Sequence, residues 1–276
     1  MKKINIFNPG RGFVKSYDFS VSGLSVTPGC LFGCQYCYSP TILHTDLATF
    51  KQGIEPKHEL LAYCDALEKQ VAQVVGKTVY ANVMTDPYQP KTLPYTQAML
   101  EAMLKVGLPS KLVLQTRSPL VVGSLDTLVK FGDNVRVNFT IETNDETVRK
   151  SFSPGAPGLE ARWRAIKLLS EKGVPVCITA TPTLPFIRDE QEAGGIDLRE
   201  LDKWCDRIRE LPTFTHLVVQ EFHDGGLTKT SPEAYGVAEN YDWFYGSKAF
   251  EHLKYNLRER LDFTVFDGMA GFTPNP

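Results

Sequence analysis

The sequence contains no apolar run near the ~20 residues that a membrane-crossing helix requires. Its first nine residues include two lysines but no apolar block long enough for a signal peptide. The expected location is cytoplasmic, with no membrane partner. A large net charge is also missing: 30 Lys and Arg against 32 Asp and Glu leave −2. That balance excludes a surface covered in phosphate-binding cations. It leaves open a local basic groove built from Arg149, Lys150, Arg162, Arg164 and Lys167, or else an ordinary solvated helix face. Internal repeats and low-complexity segments are absent, and no linker divides the chain. What remains is the composition of a soluble globular protein, 42% hydrophobic and 22% charged.

Cysteine is scarce and unevenly placed. Cys30-Leu31-Phe32-Gly33-Cys34-Gln35-Tyr36-Cys37 puts three thiols within eight residues, while Cys64, Cys177 and Cys205 lie far apart. Three thiolates in one tight loop can hold three irons of a [4Fe–4S] cluster and leave the fourth iron open to a ligand, whereas a ferredoxin-type cluster takes four thiolates. The other reading is a zinc site completed by His44 or a distant residue. Thiols kept as metal ligands agree with a reducing compartment.

Short apolar runs then alternate with amphipathic stretches, the pattern of βα units around a parallel sheet. Strands are expected at Leu24–Thr27, Val79–Met84, Lys111–Gln115, Val135–Ile141, Val174–Thr181 and His216–Glu221. Helices are expected at His58–Val74 (with Leu61, Leu67, Val71 and Val74 on one side), Tyr95–Val106, Leu120–Phe131, Leu159–Lys172 and Leu198–Glu210. Six such units fit an open doubly wound sheet or a partial barrel. Beyond residue 221 the pattern weakens into an aromatic stretch with Tyr235, Tyr241, Trp243, Phe244 and Tyr245. The chain is therefore divided into a core, 1–221, and a C-terminal extension, 222–276, packing on it as a cover. In parallel α/β folds the loops after the strands build the active site. Polar segments stand there: Thr85-Asp86-Pro87-Tyr88-Gln89-Pro90, Gln115-Thr116-Arg117-Ser118-Pro119, Thr140-Ile141-Glu142-Thr143-Asn144 and Pro182-Thr183-Leu184-Pro185.

The cysteine spacing, three residues and then two, with an aromatic before the last thiol, resembles that of the radical S-adenosylmethionine enzymes. The resemblance implies a partial (β/α)6 barrel with an aromatic-rich C-terminal extension, and a [4Fe–4S] cluster held by Cys30, Cys34 and Cys37. It implies that S-adenosylmethionine bound at the open iron is cleaved to a 5′-deoxyadenosyl radical that takes hydrogen from substrate, with electrons from a flavodoxin- or ferredoxin-type donor. Tyr36 would pack on the adenine, and Asp86 would meet the cofactor's amino group. Arg117 would meet its carboxylate, and Thr140, Glu142 and Thr143 its ribose or methionyl part. A helix cap or loop hydrogen bond is the plainer role for each.

Further landmarks, Phe7-Asn8-Pro9-Gly10-Arg11-Gly12, Thr27-Pro28-Gly29, the 85–90 segment and Phe152-Ser153-Pro154-Gly155-Ala156-Pro157, resemble the spore photoproduct lyase-like group, often labelled DNA repair photolyase. That likeness runs from about Ile6 to Phe186. It implies a lyase-type reaction on a nucleic-acid base or nucleotide, with nucleic acid as a partner. One departure matters: the group's cysteine hydrogen donor is replaced here by Ala81-Asn82-Val83-Met84. Tyr80, Tyr88 and Cys177 are the remaining candidates to relay a radical, though packing is the plainer role for all three. Two other functions stay open: the same chemistry on a peptide or small metabolite, and a non-enzymatic zinc or cluster-binding interaction module.

Overall fold

Val135–Thr140 is buried at every position, and Val176–Ala180 likewise. Such two-sided burial marks interior strands of a parallel sheet covered on both faces. In the computed structural model, which describes residues 4–21, 29–52, 58–81, 84–221 and 243–276, these strands lie inside one eight-stranded sheet whose strands follow chain order. They are β1 (Phe7–Pro9), β2 (Phe19–Val21), β3 (Thr78–Ala81), β4 (Lys111–Thr116), β5 (Val135–Thr140), β6 (Val176–Ala180), β7 (Phe214–Val219) and β8 (Val265–Asp267). β1 runs antiparallel to β2, and every later neighbour pairs in parallel. Alternate residues separate two cores. Val79, Leu112, Leu114, Val137, Phe139 and Ile178 join the large cluster with the helices. Tyr80, Val113, Cys177 and Val218 form a smaller cluster on the other face with Val14, Tyr17 and Phe272. This open, mostly parallel sheet with its two cores is the partial barrel that the resemblance implies.

The helices are α1 (Ser39–Ile42), α2 (Leu47–Lys51), α3 (Leu60–Glu68), α4 (Leu93–Val106), α5 (Leu125–Val129), α6 (Glu146–Phe152), α7 (Leu159–Glu171), α8 (Leu198–Arg209) and α9 (Ala249–Arg260). The single helix expected over His58–Val74 is α3 followed by a separate 3-10 turn at Val71–Val74. It breaks where the Gln70 side chain leaves to bind Ile4 O and Ile6 N. Leu61, expected on the apolar side, is 81% exposed, and Tyr63 takes the buried position. Pro119 turns the first half of the expected Leu120–Phe131 helix into a 3-10 segment ahead of α5. The expected strand Leu24–Thr27 lies outside the described residues, as do Tyr235 and Tyr241.

The basic groove does not form as drawn. Arg149 is buried and donates to Ser153 O and Ala156 O, and Arg162 is fully buried against Glu142. Both serve the interior instead of a solvated face. The chain beyond residue 242 adds α9 and a strand that extends the sheet beside β7. Phe244 is wholly buried, and Trp243 stacks beneath Arg188.

His216, on β7, has its ring between Thr215 Oγ1 and Gly271 O. Burial, reinforced by the nearby Arg136 charge, pushes its pKa down to about 4. The folded state therefore holds this ring neutral while the unfolded chain binds a proton near pH 6.5. Stability should fall as the pH drops through 6.5 and level off near 4, by about 3 kcal/mol in all. Urea unfolding at pH 7.5 and 4.5 should show this loss, and His216→Gln should remove most of it. Equal pH slopes for the two proteins would refute the assignment.

Candidate active site

The loop between β2 and α1 carries the three clustered thiols. It turns tightly, with Gly33 N donating to Cys30 O at 3.3 Å and Cys37 N to Cys34 O at 3.1 Å. Gly33 has φ +57°, a left-handed conformation that glycine adopts without steric cost. The loop is tied down by distant segments. Cys30 N donates to Phe50 O (2.9 Å), Leu31 N to Gln89 Oε1 (2.6 Å) and Gln35 N to Phe152 O (2.8 Å). Gly155 N donates to Phe32 O at 3.1 Å, and the Thr85 hydroxyl to Gly29 O at 2.7 Å. Two of the sequence landmarks, 85–90 and 152–157, thus act as anchors for the thiol loop.

Gly155 is required by this approach: a Cβ there would stand 2.2 Å from Leu31 O. Gly155→Ala should displace the loop at a cost of about 1–3 kcal/mol. It should cut iron incorporated on reconstitution several-fold while leaving far-ultraviolet circular dichroism unchanged. Wild-type iron content in that variant would refute the anchoring role.

All three thiols line a cavity of about 510 Å³. Among the described residues no three His, Cys, Asp or Glu side chains are close enough to hold one metal ion, and His44 is exposed. The three thiols share that one cavity wall. Burial first, and then the Cys34 charge, hold the Cys30 thiol well above its usual pKa and raise Cys37 as well. Thiols in such a place ionise together only with cations among them, which irons would supply.

Beside the thiols stands a polar wall. Tyr36 OH accepts from Arg117 Nη2 (3.0 Å) and donates to Glu142 Oε1 (3.3 Å). The Arg117 guanidinium lies 5.6 Å from the Tyr36 ring centre, and its buried Nε has no hydrogen-bond partner among the described residues. Burial opposes the Arg117 charge, but Cys34, Tyr36 and Glu142 together raise its pKa well above the ordinary value. That Nε stands 3.9 Å from Glu142 Oε1, and a guanidinium so held at the cavity wall suits a ligand carboxylate. Asp86 accepts from Tyr88 N (2.9 Å), Thr116 Oγ1 (2.8 Å) and Arg117 N (2.8 Å), so most of its acceptor capacity braces the wall. Burial nevertheless raises its pKa against those hydrogen bonds.

Of the residues singled out in the sequence, Cys30, Cys34, Cys37, Tyr36, Asp86, Arg117 and Thr140 line the cavity. Glu142 and Thr143 do not reach it. Glu142 is wholly buried behind Tyr36, its Oε2 2.7 Å from Arg162 Nη1. Burial opposes its ionisation, but Arg162 and Arg117 win and lower its pKa. The Thr143 hydroxyl donates to Pro185 O at 2.5 Å and accepts from Asp145 N, a loop brace ahead of α6. Other residues complete the lining; of these, Gln220, Met269 and Phe272 carried no signal in the sequence. Gln115 donates to both Thr140 and Thr179 hydroxyls (2.7 and 2.8 Å), forming a polar floor. Tyr80, Gln220, Met269 and Phe272 complete the walls, while Tyr88 is buried in the outer core and Cys177 points into the barrel.

Residues 24–194 match the family model described as the Radical SAM superfamily. A viral relative, the uncharacterized protein ORF301 of Acidianus two-tailed virus, is 29% identical over 170 residues. That match covers 59% of this chain and 56% of the relative, so the chain spans little more than half of that protein. Among solved structures, a spore photoproduct lyase complexed with dinucleoside spore photoproduct superposes with a TM-score of 0.59 at 15% identity, covering 95% of this chain and 78% of that one. SuiB of Streptococcus suis, solved bound to S-adenosylmethionine, gives 0.55 at 13% identity over 90% of this chain and 49% of that one. At these identities the structures speak for the fold.

Proposed function

Because the chain belongs to the radical SAM superfamily, an enzyme class that uses a [4Fe–4S] cluster and S-adenosylmethionine, we propose that Cys30, Cys34 and Cys37 hold the cluster and that Tyr36, Asp86, Arg117 and Thr140 hold the cofactor. The observation that carries this reading is the meeting of three thiols and the Arg117 cation on one cavity wall. When bound, the cluster supplies the electron that cleaves the cofactor to methionine and a 5′-deoxyadenosyl radical. The chain's own residues do the rest. Arg117, fixed by Tyr36 and Glu142, offers its guanidinium to the cofactor's carboxylate, and Asp86 keeps that arginine's backbone in place through the bond from Arg117 N. Tyr36 stays protonated, since burial raises its pKa well above the ordinary value, and its ring closes one side of the cavity. Thr140, held by Gln115, presents its oxygen at the polar floor.

The proposed substrate is a nucleic-acid base or nucleotide. It is supported by the landmark segments shared with the spore photoproduct lyase-like group and by the stacking surfaces of Tyr80 and Phe272. A specific observation favours the second reading, a peptide or small metabolite: Arg117, assigned here to the cofactor, is the sole Lys or Arg among the described lining residues, which offer a substrate phosphate no further cation. The proposed electron source is a flavodoxin- or ferredoxin-type protein. No helix among the described residues is long and apolar enough to cross a membrane.

The test is anaerobic reconstitution with iron and sulfide, then reduction in the presence of S-adenosylmethionine. Thymidine, dinucleotides, single- and double-stranded oligonucleotides and peptides are each added, and 5′-deoxyadenosine is measured. Stimulation by the nucleic-acid set supports the substrate reading. Stimulation by peptides alone moves it to the second. A protein that neither binds nor cleaves S-adenosylmethionine overturns the assignment of the site.

A further inference from the structure

Among the described residues the sheet has two free edges, β1 and β8, so strand pairing does not close the barrel. Residues 268–274, after β8, lie across the inner face of the sheet. Tyr17, just ahead of β2, donates its hydroxyl to Phe272 O at 2.6 Å. His216 Nε2 lies 3.0 Å from Gly271 O, and Arg136 donates to Pro274 O (3.1 Å) and Thr273 O (2.9 Å). Arg136 and His216 are buried on β5 and β7, so three polar side chains from three parts of the sheet grip one short segment. The approach is close enough to need Gly271, where a Cβ would stand 2.4 Å from Val218 Cγ2. Phe272 packs in the inner cluster with Tyr17, Tyr80, Cys177 and Val218. With Met269 it lines the cavity that holds the thiols, while Pro274, Arg136 and His216 line a second cavity of about 280 Å³. The segment therefore stands between two cavities on the inner face of the sheet.

We propose that residues 268–274 form the side wall of the reaction chamber, with Met269 and Phe272 as specificity-determining residues and Tyr17, Arg136 and His216 as positioning residues. The second half of this inference rests on the cofactor placement proposed above. The cofactor's amino, carboxylate and hydroxyl groups find partners at Asp86, Arg117 and Thr140, and its adenine finds the Tyr36 ring, which leaves the Met269 thioether and the Phe272 ring without a cofactor group to meet. Those two side chains thus face the substrate, and they select one that presents an apolar or aromatic surface.

N-ethylmaleimide labelling of the full-length holoenzyme, read by mass spectrometry at each cysteine, tests the wall. Cys64 is half-buried and reports reagent access, Cys205 is buried on α8 and reports global unfolding, and Cys177 lies behind Phe272. In the wild type only Cys64 of these three should react. In Phe272→Ala, Cys177 should label at least about tenfold faster with Cys205 still protected, as local opening requires. Cys177 protected as in the wild type would overturn the proposal. If Cys205 labels too, Tyr17→Phe, which removes one hydroxyl and little volume, decides by the same comparison. A second measurement addresses the cofactor: Met269→Trp should leave the affinity for S-adenosylmethionine within about threefold, and a tenfold loss would return this wall to the cofactor. The labelling does not depend on cofactor binding, so failure of the site assignment and failure of the wall give different results.

Discussion

Cys34→Ala should reduce 5′-deoxyadenosine formation to background, a loss of about three orders of magnitude or more in rate, with the fold intact. Cys34 is the central thiol of the loop, 5% exposed and lining the cavity. Its carbonyl accepts from Cys37 N, a backbone bond that alanine keeps. The substitution removes a single sulfur from a small side chain, so the packing loss is small. The ligand loss is not small, because two thiols cannot hold the cluster in a site where a third completes the set. Iron and sulfide analysis should show little cluster, circular dichroism should match the wild type, and turnover should vanish. Full turnover by Cys34→Ala would refute the assignment of the cluster ligands.

Arg162→Met should cost about 3–5 kcal/mol of stability, the usual penalty for stripping the partner from a buried charge. Arg162 and Glu142 are both fully buried and 2.7 Å apart, and Arg162 also ties Thr140 O (3.1 Å) and Pro157 O (2.8 Å). Without it Glu142 keeps only Arg117, 3.9 Å away, with the hydroxyls of Tyr36 and Ser153. The melting temperature should drop by roughly 10 °C. Pairing with Glu142→Gln should recover part of the loss, since no uncompensated carboxylate then remains. The sign with pH follows from the lowered Glu142 pKa: the stabilisation is present above the ordinary carboxylate range and is lost as pH falls through it. Arg162→Met should also weaken S-adenosylmethionine binding, because Arg117 would be drawn toward the freed carboxylate. A single variant as stable as the wild type would show that the pair contributes specificity without stability.

These two variants fall on opposite sides of what a linear reading reaches. The cysteine triad is legible because its chemistry is local: three ligands within eight residues carry their own signature. The strands were legible for a similar reason. Lys111–Thr116, Val135–Thr140 and Val176–Ala180 are apolar and β-branched runs bounded by turns, and a parallel sheet needs little more to be recognised. The role of Arg162 was not legible, since a basic residue in a helix reads the same whether it faces water or a buried carboxylate 20 positions earlier in the chain. Glu142 and Thr143 looked like ligands for the same reason: their position at a strand end was right, but which way each side chain turned depended on neighbours.

By itself the sequence determined the cysteine-rich loop, the family and the order of the strand–helix units. Each of these follows from residues close together in the chain. Tertiary structure alone decided which polar residues reach the cavity, that Gly155 and Gln89 anchor the thiol loop, and that Phe272 packs on the inner face of the sheet. Those outcomes depend on contacts such as Tyr17 to Phe272, 255 residues apart. No periodicity encodes such a pair, because the free energy that forms it comes from burial and hydrogen bonds available only once the sheet has formed.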